Sequence, residues 1–154
     1  MTKWDSSFYR EALILRNKEL MASAGKAFLL AAPACERKDV HLIVKRNEHV
    51  VGTAILHPVS KSYVQVKQVA VSSRCQGEGL GKELLIYAEQ VARGLGFRYV
   101  FLTGRKQAWG FYEKLGYLAL SEEYQEGHLA MKVYKKDLRL PLEQVEKREM
   151  KTNG

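Results

Sequence analysis

The chain has 154 residues, 46% of them hydrophobic and 27% charged, and a formal net charge of +8; this is ordinary globular composition and excludes a disordered protein. A chain of this length buries roughly two thirds of its unfolded surface in one domain without staples, and Cys35 and Cys75 stand far apart without Cys-x-x-Cys spacing, which speaks against a disulfide framework or a zinc site. The longest apolar stretch, residues 27–34, is far shorter than the ~20 residues of a membrane span, and the positive charge suits a polyphosphate ligand as well as it suits nucleic acid.

The first residues, Met1-Thr2-Lys3-Trp4-Asp5, lack the charged-then-apolar order of a secretory signal. The expectation is a cytoplasmic protein with reduced thiols. Residues 6–21 place Tyr9, Leu13, Arg16 and Leu20 three or four apart behind Asp5 or Ser6 as a cap, which predicts an opening helix. Residues 22–38 are Ala-rich and broken by Gly25 and Pro33, and read as a second short helix or a loop.

From His41 the period is extended: residues 41–45, a polar turn at Arg46-Asn47-Glu48, and residues 50–56 predict a hairpin. Residues 63–71 alternate and then run apolar, as a third strand that becomes central at its end. Residues 79–95 carry Leu80, Leu84, Leu85, Ala88, Val91, Ala92 and Leu95 at helical spacing, with Gly94 and Gly96 as the stop. Then follow a buried strand at 99–103, a short helix at 107–115 ended by Gly116, a strand at 117–120 and a last strand at 127–134.

This order predicts an α/β (α+β) fold with one mixed sheet and helices on both faces. A single domain is expected over residues 1–137, followed by a charged tail over 138–154. In the tail, Leu138, Leu140, Leu142 and Val145 could dock locally, and the rest should fray.

The turn after Val71 is the most informative segment. Gly77, Gly79 and Gly81 at alternate positions let the backbone approach a ligand closely, and the helix behind them aims unpaired N–H groups and a positive dipole end at it. An isolated glycine trio is as often an ordinary turn. A dinucleotide fingerprint would need glycine at position 82 or 84, where Lys82 and Leu84 stand, and a P-loop would need Ser or Thr where Glu83 stands.

Gln76, Gly79 and Gly81 instead satisfy the Gln/Arg-x-x-Gly-x-Gly/Ala signature of the GNAT superfamily of acetyl-CoA-dependent N-acetyltransferases, which this chain resembles. Val69-Ala70-Val71, Leu84-Leu85, residues 94–97 and residues 108–117 resemble that superfamily in order and spacing, over about residues 41–134. The resemblance implies a mostly antiparallel sheet with one splayed parallel pair, the strand ending at Val71 parting from the strand at Tyr99. It implies acetyl-CoA as cofactor: pantetheine against the backbone of Val69, Ala70 and Val71, pyrophosphate on the amides of Gln76, Gly77, Glu78, Gly79, Leu80, Gly81 and Lys82, and further contacts from Gln107, Phe111 and Tyr112.

Tyr112 stands at the family position of the general acid. A phenol with a pKa near ~10 can share its proton with a departing thiolate of pKa near ~8.5; taken without the resemblance, Phe111-Tyr112 reads as packing. The family often draws its base from a carboxylate on the strand before the glycine turn, but Gln65, Lys67 and Gln68 stand there. His128, His57, Glu122 and Glu123 remain, and His128 opens a Gly127-His128-Leu129-Ala130-Met131 run similar to the family's closing pattern, with a side chain whose ordinary pKa near ~6.5 suits base work.

The expected reaction is transfer of an acetyl group to an amine, on a small molecule or a peptide, with no nucleic acid, membrane or metal involved. An exposed apolar face or sheet edge could also make a homodimer. The missing strand carboxylate keeps a second reading open, an acyl-CoA-binding regulatory module without turnover.

Overall fold

A computed structural model describes residues 1–139 apart from 23, 24, 28 and 30. The opening helix, α1 (Ser7–Arg16), starts where expected because the Ser6 side chain accepts the Tyr9 amide at 3.2 Å. It continues as one π-helical turn, Asn17–Met21. The Asn17 side chain then fixes the next segment, its Nδ2 donating to Leu29 O at 2.9 Å and its Oδ1 accepting from Leu29 N at 2.8 Å. Among the described residues of 22–38 there is one short 3-10 turn, Ala34–Glu36.

The hairpin forms from β1 (Val40–Arg46) and β2 (His49–Pro58). Asn47 and Glu48 between them both take positive φ, 51° and 64°, the twist that a two-residue hairpin loop requires. Next come β3 (Tyr63–Val71), α2 (Leu80–Gly94), β4 (Tyr99–Arg105) and α3 (Trp109–Lys114). The chain ends its described part with β5 (Leu118–Ala119), β6 (Tyr124–Glu126) and β7 (Leu129–Asp137).

The seven strands form one sheet in the order β1-β2-β3-β4-β7-β5, with β6 also on β7. Every pairing is antiparallel except β3 with β4, whose crossover is α2. One face packs Leu42, Ala54, Leu56, Val64, Val66, Val100 and Leu102 against Leu84, Leu85, Ala88 and Ala92 of α2. On the opposite face Ala12 and Leu15 of α1 cover Val50 and Ala70.

The parallel pair is short. Tyr63 to Gln65 pair with Tyr99 to Phe101, and there the ladder stops, although β3 runs on to Val71 and β4 to Arg105. The reason lies in β3, where Ile55 pairs with Lys67 but Thr53 with Ala70, so that Gln68 and Val69 together face Ala54. Gln68 takes φ 54° at this bulge, and a bulge bends its strand.

At the far end Leu138 is core, only 3% exposed, with its N–H on Arg98 O at 2.7 Å and its carbonyl accepting from Arg93 Nε at 2.8 Å. The docking expected of Leu140, Leu142 and Val145 lies outside the described residues.

Candidate active site

A cleft of about 480 Å³ opens where β3 and β4 part. Gln65 to Val69 line one wall, Leu102, Thr103 and Arg105 the other, and Tyr112 lines it from α3. Leu20, Met21 and Lys26 line it from the segment after α1, and Glu126 and His128 from the β6–β7 turn.

The glycine turn lies beyond the end of β3, where Gly77 and Gly79 take φ 85° and 79°. A Cβ added at either would meet nothing within 4 Å, so these glycines serve backbone conformation and open approach rather than packing. Gly79 caps the 15-residue α2 without a side chain to satisfy its first amides, leaving N–H groups and the positive dipole end for an anion. The Glu78 carboxylate, which would oppose an anion, is held by Arg46. Lys82 is exposed in the first helical turn, and Leu80, buried to 2%, can offer only its amide.

These residues therefore fit a pyrophosphate. Gln68 supplies a second sign of a ligand, since its Oε1 is buried and has no hydrogen-bond partner among the described residues while the side chain lines the cleft. A buried acceptor of this kind is costly unless something donates to it.

The other family positions fall out as follows. Val69 lines the cleft, Val71 packs partly on the α2 core, and the Ala70 side chain turns to the α1 face, so backbone is what these residues present. Phe111 lies beside the turn: a Cβ on Gly81 would sit 3.5 Å from its ring. Gln76 is exposed in the turn, and Gln107 is exposed on the 3-10 turn before α3, outside the cleft lining.

Tyr112 is 9% exposed, among Phe111, Tyr117 and Tyr134 with ring centroids 5.4, 6.0 and 5.8 Å away. A Cβ at Gly104 would come within 2.7 Å of its Cε2. The ring thus lies over β4 only because position 104 has no side chain, a requirement no sequence pattern announced. Burial pushes the Tyr112 hydroxyl above its ordinary pKa, with Arg105 pulling the other way.

His128 and Glu126 reach the cleft together because Gly127 between them turns at φ 61°. Sequence reasoning weighed Glu122 and Glu123 and missed Glu126, because β6 is a three-residue, fully exposed strand with no apolar alternation to reveal it. Glu126 is the only carboxylate among the described cleft residues. His57 lies outside the cleft, its Nδ1 2.7 Å from Asp39 Oδ1.

Helix amides at the mouth of a split between two parallel strands are the layout of the acyl-CoA N-acyltransferase fold. Two solved structures share it: an N-acetyltransferase, provisionally assigned, from Lactobacillus plantarum (TM-score 0.79, 21% identity, 88% of this chain and 94% of that one) and an aminoglycoside 6'-N-acetyltransferase complexed with coenzyme A (TM-score 0.73, 14% identity, 91% and 97%). At such identities the likeness concerns the fold.

Residues 3–117 match the profile of the Acetyltransferase (GNAT) family, and the chain belongs to that family. A Bacillus subtilis (strain 168) protein designated provisionally as an acetyltransferase is 32% identical over 84 residues, 54% of this chain and 56% of its own length. The chain thus spans about half the length of that curated relative. No helix of the described residues is long and apolar enough to cross a membrane.

Proposed function

We propose that this protein is an acetyl-CoA-dependent N-acetyltransferase in which an amine attacks the thioester directly within a ternary complex. The observation that carries the reading is the split between β3 and β4, with free-standing helix amides at one end and the buried Tyr112 behind it.

Acetyl-CoA, when bound, supplies the acetyl thioester. The amides from Gln76 to Lys82 take the pyrophosphate, and the backbone of Val69 and Val71 hydrogen-bonds along the pantetheine arm. An amide near Val71 polarises the thioester carbonyl as an oxyanion donor. As the new C–N bond forms and the C–S bond breaks, Tyr112 gives its proton to the leaving thiolate; the raised pKa keeps that proton in place across the neutral range. His128, in the cleft, takes the proton of the attacking amine. Positioning of amine and thioester supplies much of the rate. Reduced Cys35 and Cys75 suit work in the cytoplasm.

The absence of a carboxylate at Gln65, Lys67 and Gln68 favours one rival, a module that binds acyl-CoA without turnover. Thiol release from acetyl-CoA across a panel of amines and peptides separates the two. In the active enzyme Tyr112→Phe keeps the ring and should lower kcat by roughly 10²–10⁴-fold with little change in acetyl-CoA affinity. Binding with no release for any acceptor would favour the idle module, and an unchanged kcat with chemistry rate-limiting would reduce Tyr112 to packing.

A further inference from the structure

Lys67 stands in the cleft where a carboxylate would suit an amine acceptor, and a buried carboxylate lies near it. Its Nζ lies 3.6 Å from Asp39 Oδ2, and the Asp39 side chain is 3% exposed. The other Asp39 oxygen is 2.7 Å from His57 Nδ1. The imidazole thus holds one carboxylate oxygen, while the ammonium lies near the other without a hydrogen bond to it, and the Lys67 side chain stays 27% exposed. An ammonium that makes no hydrogen bond to its neighbouring carboxylate keeps its donors for a ligand anion.

A bare amine is cationic at neutral pH, and a nearby cation repels it. Lys67 on β3 and Arg105 on β4 bring positive charge to the cleft walls, and Lys26 adds another from the segment after α1. Glu126 sits on the far side of the split, beyond β4, where β6 pairs with β7. Beside Lys67 is the buried Gln68 Oε1, without a partner among the described residues, which asks for an N–H donor. Cation and acceptor on one strand, with a carboxylate across the split, form a surface for a molecule bearing both signs.

We propose that the acceptor is an amine that also carries a carboxylate, an amino acid or a compound of that kind, and that Lys67 selects it by binding that anion. This rests on the transferase reading above. Were Lys67 only the neutralising partner of Asp39, its loss would not discriminate between acceptors.

The test compares kcat/KM, by thiol release, for amino acids and their decarboxylated amines, such as phenylalanine with phenethylamine and lysine with cadaverine. Wild type should favour the carboxylated member by at least about 10-fold, since a charge-assisted contact is lost with the carboxylate. Lys67→Met should narrow that ratio by roughly 10- to 10²-fold, and Lys67→Arg should keep most of it. If Lys67→Met fails to fold because Asp39 is left buried beside no cation, Lys67→Met combined with Asp39→Asn removes both charges and gives the same reading. A wild-type ratio at or below one overturns the acceptor class, and a ratio that Lys67→Met leaves unchanged overturns selection by Lys67; the transferase stands in either case. Acetyl-CoA binding with no release for any amine overturns both.

Discussion

Under α2 the sheet meets aliphatic side chains, with Leu84, Leu85 and Ala88 fully buried, and such contacts accept any neighbour of suitable volume. Under α1 the same strands meet a guanidinium, a carboxylate, a phenol and an imidazole. Arg16 Nη1 and Nη2 each donate to a Glu36 oxygen at 2.8 Å, Tyr9 OH donates to Glu36 Oε1 at 2.7 Å, and His41 Nε2 lies 2.8 Å from Glu36 O. A charged pair also lies between α2 and β7, Lys136 with Glu89 at 2.8 Å, but it leads to no cleft. The Arg16 network orients the end of α1, from which Leu20, Met21 and Lys26 reach the site. The glycine-turn side is thus built on backbone backed by a forgiving core, and the α1 side on directional polar bonds that tolerate little.

The sharpest way to break this comparison is Glu36→Ala, which leaves a buried guanidinium unpaired and should cost about 3–5 kcal/mol in denaturant unfolding. Leu84→Ala on the other face should cost a similar ~2–5 kcal/mol, so pH must separate them. Burial alone would raise the Glu36 carboxyl, but hydrogen bonds from Arg16 and Tyr9 outweigh it and hold the pKa below the ordinary value. Its stabilisation is complete above the unfolded glutamate value of ~4.3 and is lost as pH falls through the lower folded value. Wild type and Leu84→Ala should share that acid loss, and Glu36→Gln should lack it; a slope that survives Glu36→Gln would end the contrast.

A smaller effect is expected at the cofactor end. Gly79→Val puts a β-branched residue at φ 79°, so acetyl-CoA affinity should fall by at least about 10²-fold with circular dichroism retained. Equal binding by the variant, in calorimetry, would remove the glycine turn from the site.

The smallest concerns His128. If it is the base, His128→Ala should lose the acidic limb of the kcat/KM profile together with activity. Profiles with two amines of different pKa decide, since a limb that follows the amine and ignores the substitution leaves His128 outside the mechanism.

Much of this architecture was legible in the sequence, and for physical reasons. The hairpin, β3, α2 and β4 carry periodic apolar residues because each is covered by core, and the glycine turn is legible because few backbones need left-handed residues before a helix. Elements held by single side chains left no such trace. Leu29 is held by two bonds to the Asn17 side chain, with nothing periodic to show it. The strand expected at 117–120 shrinks to Leu118–Ala119, with both residues exposed, and the last strand starts at Leu129 rather than 127 because Gly127 and His128 belong to the turn after β6. Lys67 showed in the sequence only as a missing carboxylate; its nearness to Asp39 depends on the start of β1 lying near β3 across β2, which no local pattern encodes.

The three-residue parallel ladder has one more consequence. A sheet ordinarily has two rims, both outside, where any stray strand can add and begin aggregation. This sheet has in addition two rims that face each other within the fold, past Gln65 on β3 and past Phe101 on β4. Under the proposed function a slender chain with a few amides along it fits that gap, whereas a second folded sheet, with its side chains standing off both faces, does not. The fold can keep main-chain donors and acceptors unpaired in its middle without the hazard that the same groups would create at its border.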